Sequence, residues 1–511
     1  MKKISSPEFQ SLVSLFNDFH QFQKPVLKDG VPDYSLRAMK RQQRELKTWQ
    51  KHLAAIDISD WPVARQVDYH LVRAQMNGLE FDHRVMRPWF RDPAFYVVIS
   101  FQFGPKMHGA VSAWHLQNPA KYQDELASQF RAIPVILEQA RENLTEAGGD
   151  LTMLGIRSKK REAAIMEQCI ATLSADNSPL LADARTALKA INAFRSWLEQ
   201  NRKNMDAPSG IGIENYSWHL KHVQLVPYDW HDMLTISRRE YQRAITMMKL
   251  TEHRNRKLPP MEPVSAGADI TRLFNKARKE LWQFLNDGDV LTPPAYMKPG
   301  KAGKADDHHG KRDYFVNVLH RDPLPLIPHD VVGHTPDAIR VSRDRRPIRG
   351  NFSLYFIDAC RAEGLATGIE EILMMSGMLD KRPRSKELTY NLIAHRAARS
   401  ISDLKMHSNE FSLKQAFEHN VKDTPYGWVL PDSAMMWHDV ELYLRQPSYG
   451  TSYTIGSVQL QQLIADYALT KGKQFTLKKC LDRFLGLGMI PITLGRWEMT
   501  GRDDEVKKLM E

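Results

Sequence analysis

Two histidines, an acid and a later glutamate are the side chains of this sequence best suited to chemistry. They lie in Pro328-His329-Asp330-Val331-Val332-Gly333-His334-Thr335-Pro336-Asp337 and, further on, in Arg361-Ala362-Glu363-Gly364. Imidazole and carboxylate together suit zinc, iron or nickel better than calcium or magnesium, which favour all-oxygen sites. The spacing adds a constraint. Residues i and i+4 share a helix face. His329 and His334 are i and i+5, roughly 140° apart around a regular α-helix. They meet at one metal only if the helix is broken or bulged between them. Gly333 offers backbone freedom for that break. Thr335 and Pro336 read as the N-cap and first residue of a new helical segment. The plainer alternative is a pair of structural histidines, so the elements around the motif must decide.

Those elements read as helices. Residues 351 to 379 carry a 3.6-residue pattern that puts Glu363 and Glu370 on one face. They are two turns and roughly 10 Å apart, so an undistorted helix offers only one of them to a given metal. Residues 387 to 407 form a helix with a polar stripe of Arg396, Arg399, Asp403 and His407. Buried polar groups are costly unless paired, so the stripe either faces water or lines a polar cleft. Tyr314-Phe315-Val316-Asn317-Val318-Leu319 is the best strand candidate. As an edge strand it would pair an extended substrate through main-chain hydrogen bonds. Residues 292 to 312 read as a loop, and its Asp306-Asp307-His308-His309 is the next metal candidate, more simply a solvated turn.

The N-terminal part shows helical patterns over 9 to 19, 34 to 56, the segment opened by Trp61-Pro62, 120 to 147 and 176 to 203. Gly148-Gly149 reads as a helix stop. After a boundary near Met205 to Gly210, further helices are expected over 228 to 251, 268 to 286, 410 to 420, 434 to 445 and 456 to 470. The expected fold is mostly α: a helical lobe over 1–205 and a helical metal-site lobe over 206–511, forming one continuous unit. A small β element is expected near the metal site.

The 511 residues, 42% hydrophobic and 26% charged, suffice for a large core and suit a soluble enzyme. A net charge of +11 is modest for this length, and no block of five or six like charges occurs. Nucleic acid is therefore not an expected partner. Cys169, Cys360 and Cys480 suggest neither a disulfide framework nor a thiolate metal site. The basic start, Met1 to Pro7, precedes no apolar run of signal-peptide length, and no membrane-spanning run occurs. The expectation is a protein of the reducing cytoplasm, without a membrane partner, and able to form a homodimer.

From about residue 205 onward, and more faintly before it, the chain resembles a mostly bacterial family of helical proteins, a domain of unknown function regarded as metallopeptidase-like. That family's pattern runs His-Glu-x-x-Pro-Gly-His, Glu-Gly-Trp-Ala, Arg-Ala-x-Arg-x-x-x-Asp-x-x-x-His, Pro-x-x-x-x-Ser-Tyr-x-x-Gly and Gly-x-x-Pro-Leu. The corresponding residues are His329-Asp330-Val331-Val332-Gly333-His334; Glu363-Gly364-Leu365-Ala366; Arg396-Ala397-Ala398-Arg399 through Asp403 to His407; Pro447 through Ser452-Tyr453 to Gly456; and Gly488-Met489-Ile490-Pro491-Ile492. In architecture the family resembles the helical zinc peptidases of the angiotensin-converting and carboxypeptidase Taq type. This sequence departs from the pattern: the histidine motif is one residue shorter and lacks proline, Asp330 replaces Glu, and Leu365 replaces Trp. The shortened motif also resembles the iron-binding motif of the aromatic amino-acid hydroxylases, over nine residues only.

The first resemblance implies a metal-dependent hydrolase of peptide or amide bonds in a small peptide-like or amino-acid-derived substrate. One zinc ion would be held by His329, His334 and Glu363, with one position open for water. Asp330 would be the base. Tyr453 would stabilise the oxyanion, and His407 or Arg399 would assist or bind a substrate carboxylate. Arg396, Asn317 and Tyr449 would bind substrate. Glu370 and Asp403 would stand behind the ligands and orient them. The second resemblance implies Fe(II) held by two histidines and one carboxylate for oxygen chemistry, with Glu370 then favoured as the carboxylate. A third alternative is a degenerate member that binds peptides without catalysis.

Overall fold

The 3.6-residue periodicities become helices along most of the chain, in a computed structural model that describes residues 7–100, 110–298 and 300–510. The basic stretch Met1 to Ser6 lies outside the described residues. The fold is mostly α. Its strands, among the described residues, are two-residue pairs: Leu27–Lys28 with Val31–Pro32, and Ile99–Ser100 with Val111–Ser112.

The expected β element beside the metal motif is absent. Tyr314–Arg321 is a helix, not a strand. Its valines and aromatics favour strand in isolation, but Tyr314, Asn317 and Val318 are its buried residues, at helical spacing. The Asp313 side chain caps the first turn. Tyr314 stacks on His395 and its hydroxyl donates to Asn391. Burial and capping therefore outweigh local propensity. The edge-strand role falls away with the strand.

By contact the chain forms two compact units: Met1–Ile56 with Leu79–Ile211, and Asp57–Gly78 with Gly212–Glu511. In the first unit, Gln123–Asn143, Gly149–Ala175 and Leu181–Asn201 pack around Phe130, Ile133, Met166, Ile191 and Phe194. Gly148-Gly149 opens a helix rather than ending one: the preceding helix stops at Asn143, and Gly148, extended, is the N-cap of the 27-residue helix that follows.

The second unit carries the metal motif. Residues 57–78 belong with it because Arg349, buried, grips them. Its guanidinium donates to Asp68 at 2.6 Å and to the Ala64 carbonyl at 2.8 Å, and also reaches Glu498 and the Leu487 carbonyl. The central helix, Ser385–His407, is buried on all sides, with only Lys386 and Lys405 outside the buried set. Its polar stripe consequently has no water-facing side and must be satisfied internally. Beside it, Ala359–Leu373 and Tyr449–Lys471 cross where Gly364 meets Gly456. A methyl on Gly364 would lie 2.4 Å from the Gly456 backbone, so only glycine permits this approach.

Candidate metal centre

His329–His334 forms one turn of π-helix. The wider i→i+5 turn brings the two imidazoles to one side, with rings 4.8 Å apart and Nε2 atoms 3.2 Å apart. The bulge required by the spacing is present, but Gly333 serves it differently than expected. Gly333 adopts no positive φ. Its lack of a side chain admits the Glu363 helix: a Cβ there would sit 2.8 Å from Ala366 Cβ. Thr335 is not an N-cap either. The π turn runs directly into the helix Thr335–Arg343, and the Thr335 hydroxyl donates to Asp330 Oδ1 at 3.0 Å.

Glu363, on the helix Ala359–Leu373, completes the cluster. Its Oε2 lies 3.3 Å from His334 Nε2 and 3.7 Å from His329 Nε2. Oε2 is buried and accepts no well-directed hydrogen bond, while Oε1 accepts from the Tyr449 hydroxyl at 2.7 Å. An anionic oxygen left thus in the interior is costly, and a cation at the centre of the three atoms relieves it. Burial would raise the Glu363 pKa, but the His334 imidazole 3.3 Å away, the charge of His329 and the Tyr449 hydroxyl hold it down to about 2. Burial lowers the His334 pKa, yet Glu363 outweighs it and the net shift is upward.

A second row of side chains fixes the first. Glu370, fully buried, accepts from His329 Nδ1 at 3.0 Å. Both terminal nitrogens of Arg396 donate to Glu370, each at 2.7 Å. A carboxylate paired in this way only accepts, so Nδ1 carries the imidazole proton and Nε2 presents its lone pair inward. Glu363 and Glu370, two helical turns apart, thus bracket one imidazole at its two nitrogens. His329, His334 and Glu363 form a group with the atoms and spacing to hold a metal ion, the one such group of three or more among the described residues.

Other expected residues fall elsewhere. Arg396 is committed to Glu370 and is not available to a substrate. Tyr449 donates to the Glu363 carboxylate rather than facing a substrate. Arg399 is buried, donates to Asp439 at 2.7 Å and lies over the Tyr453 ring at 4.7 Å, so it is not free to bind a substrate carboxylate. His407 is fully buried and its Nε2 donates to the Tyr443 carbonyl at 3.0 Å. It lies three turns beyond Arg396, roughly 16 Å along the axis, outside the cluster. Asp403 accepts from the Thr451 N–H at 3.1 Å; burial pushes its pKa up to about 8 against the pull of the Thr451, Gly450 and Ser448 amides. It braces the start of the Tyr449 helix rather than a ligand. Asn317 bonds the Arg312 carbonyl and receives Arg321, both local to its own helix. His308 faces His320 in a separate ring pair. Asp330 is exposed beside His329, and its charge is felt at His334. Tyr453 is hydrogen-bonded to Tyr449. Sequence reading missed Phe356, whose ring meets Tyr449 edge to face; its only signal was a cluster of aromatic residues just before the Glu363 helix.

A family model described as "Bacterial protein of unknown function (DUF885)" matches residues 7–289 and 353–499. The stretch between, 290–352, holds His329 and His334, so the match skips the shortened motif. Two solved structures share the fold. One is described as a "putative lipoprotein of unknown function from Shewanella oneidensis", with TM-score 0.73 and 17% identity over 97% of this chain and 100% of that one. The other is a "putative lipoprotein from Colwellia psychrerythraea", with TM-score 0.65 and 13% identity over 97% and 99%. No curated protein matches the chain. The cytoplasmic expectation does not stand: both structural neighbours are described as putative lipoproteins. No described helix is long and apolar enough to cross a membrane.

Proposed function

We propose that this chain, which belongs to the DUF885 family of bacterial proteins of unknown function, is a metal-dependent hydrolase of peptide or amide bonds, metallopeptidase-like, acting on small peptide-like substrates. One observation carries the reading: two imidazole nitrogens and a carboxylate oxygen without a hydrogen bond converge on one point, with the imidazole of His329 oriented from behind by Glu370 and Arg396.

Two imidazoles and a carboxylate are a zinc donor set that leaves a position for water, and His329, His334 and Glu363, with donor atoms 3.2, 3.3 and 3.7 Å apart, would hold the ion. When bound, zinc supplies a Lewis acid that brings a water's pKa near neutrality. The chain's residues supply the rest. Asp330, exposed beside His329, is the proton acceptor. Its reach is one methylene shorter than that of Glu, and Thr335 fixes its carboxylate. Tyr453, whose ring lies under the Arg399 guanidinium, is the donor toward the developing oxyanion.

Zinc-loaded protein should cleave short acylated peptides and stop when the zinc is chelated. Asp330→Asn should keep the zinc and lose about 10²–10⁴-fold in rate. Full activity in that variant removes Asp330 from the mechanism. Zinc bound without any cleavage supports a non-catalytic peptide-binding role. Iron in place of zinc supports the oxygenase alternative, which the i, i+5 histidine spacing favours.

A further inference from the structure

We propose that Phe356 is the side-chain subsite beside the metal centre and selects substrates with an aromatic or large aliphatic side chain next to the cleaved bond. The proposal rests on the hydrolase reading. Its observations lie in the turn that enters the Glu363 helix. Tyr355 and Phe356 have φ of 59° and 50°, the one consecutive non-glycine pair with positive φ among the described residues. Bulky side chains rarely adopt that conformation, and it persists only where the surroundings impose it.

The surroundings here do so. The Tyr355 ring lies against the bare Cα of Gly78, where a Cβ would be 2.3 Å from Tyr355 Cγ. Gln224 donates to the Tyr355 carbonyl at 3.4 Å, and the Leu354 N–H donates to Gln75 at 3.3 Å. Ile357 is buried. With both neighbours held inward, the Phe356 side chain is turned outward and is 46% exposed. A single exposed aromatic needs no explanation. One held out by a strained, anchored turn, against a residue that touches a ligand, does. The Phe356 ring packs on Tyr449 at 6.0 Å and 85°, and the Tyr449 hydroxyl donates to Glu363. Phe356 is thus an apolar surface one side chain away from the ligand carboxylate, in position for the side chain of a residue whose amide is at the metal.

The test compares phenylalanine hydroxamate with glycine hydroxamate, whose shared chelating group binds the metal regardless of turnover. Zinc-loaded wild-type protein should bind the phenylalanine compound about tenfold more tightly. Phe356→Ala should erase the difference, Phe356→Leu should keep most of it, and both variants should retain wild-type zinc content and melting temperature. Equal affinities in the wild type, a preference that survives in Phe356→Ala, or no binding of either compound to fully loaded protein overturns the proposal. A protein that takes up no zinc overturns it together with the hydrolase reading, and elemental analysis identifies that outcome. Failure to cleave peptides while the hydroxamate preference stands counts against the hydrolase reading alone.

Discussion

His329 has a carboxylate on each side of its ring, bonded at Nδ1 and only near Nε2, and that determines what each one does. Glu363 lies on the Nε2 side with a buried oxygen that accepts no hydrogen bond, and Glu370 lies on the Nδ1 side, locked to Arg396. Glu363→Gln should therefore abolish zinc binding. Glu370→Gln should leave it weakened by about 10- to 100-fold, the usual loss when an orienting partner is removed. Competition against a chromophoric chelator distinguishes the two, and the reverse order would make Glu370 the ligand. The His334–Glu363 pair also sets a pH signature in metal-stripped protein. Glu363, at about 2 against an ordinary 4.5, adds stability that is complete above 4.5 and lost as the pH falls toward 2. His334, raised from 6.5, adds stability that is complete below 6.5 and lost as the pH rises through its folded value. Both shifts describe one interaction and count once. The melting-temperature gap between stripped wild type and Glu363→Gln should be widest between those limits and shrink outside them. A gap that does not change with pH would mean that the pair is not formed.

The π turn and the glycine crossing are the elements that make these contacts possible, and they were unequally legible. The i, i+5 spacing of the histidines by itself demanded a bulge, because an α-helix would separate them. Many of the helices were readable from periodicity, but the 27-residue Gly149–Ala175 was not anticipated, and Ser385–His407, buried on all sides, shows no single apolar stripe. The helix Tyr314–Arg321 was not readable either, because its β-branched run resembles a strand until Asn391 and His395 are present to receive Tyr314. The stripe on Ser385–His407 gave four candidate site residues, but only Arg396 reaches the cluster, a distinction invisible without knowing what packs on each turn. Gly364 could be read as a site of close approach; its partner Gly456, far off in sequence, could not. Gly333→Ala should push the π turn off the Glu363 helix, lowering zinc affinity and, less than the deeper clash at Gly456 does, the melting temperature. Gly456→Ala, with a Cβ 2.1 Å from the Cys360 carbonyl, should lower both, by about 1–3 kcal/mol or more in stability. Thermal melts of stripped protein beside zinc titrations would reveal the contrast, and equal effects from both substitutions would argue against it.

Across the whole molecule, the candidate metal centre lies in the unit formed by Asp57–Gly78 and Gly212–Glu511. Arg349 ties its discontinuous pieces together through Asp68 and Glu498. Arg349→Ala leaves Asp68 buried without its main partner and should cost about 3–5 kcal/mol. Urea unfolding checks this, and a loss of under about 1 kcal/mol, the scale of a surface ion pair, would remove the anchor role. The family match spans most of the chain yet omits 290–352, the stretch that holds both histidines. The most direct measurement is the metal content of the purified, zinc-loaded protein and of three single variants, by elemental analysis after exhaustive desalting. We expect one equivalent of zinc in the wild type and none in His329→Ala, His334→Ala or Glu363→Gln. A wild type without metal, or a full equivalent retained in all three variants, would contradict the metal centre described here.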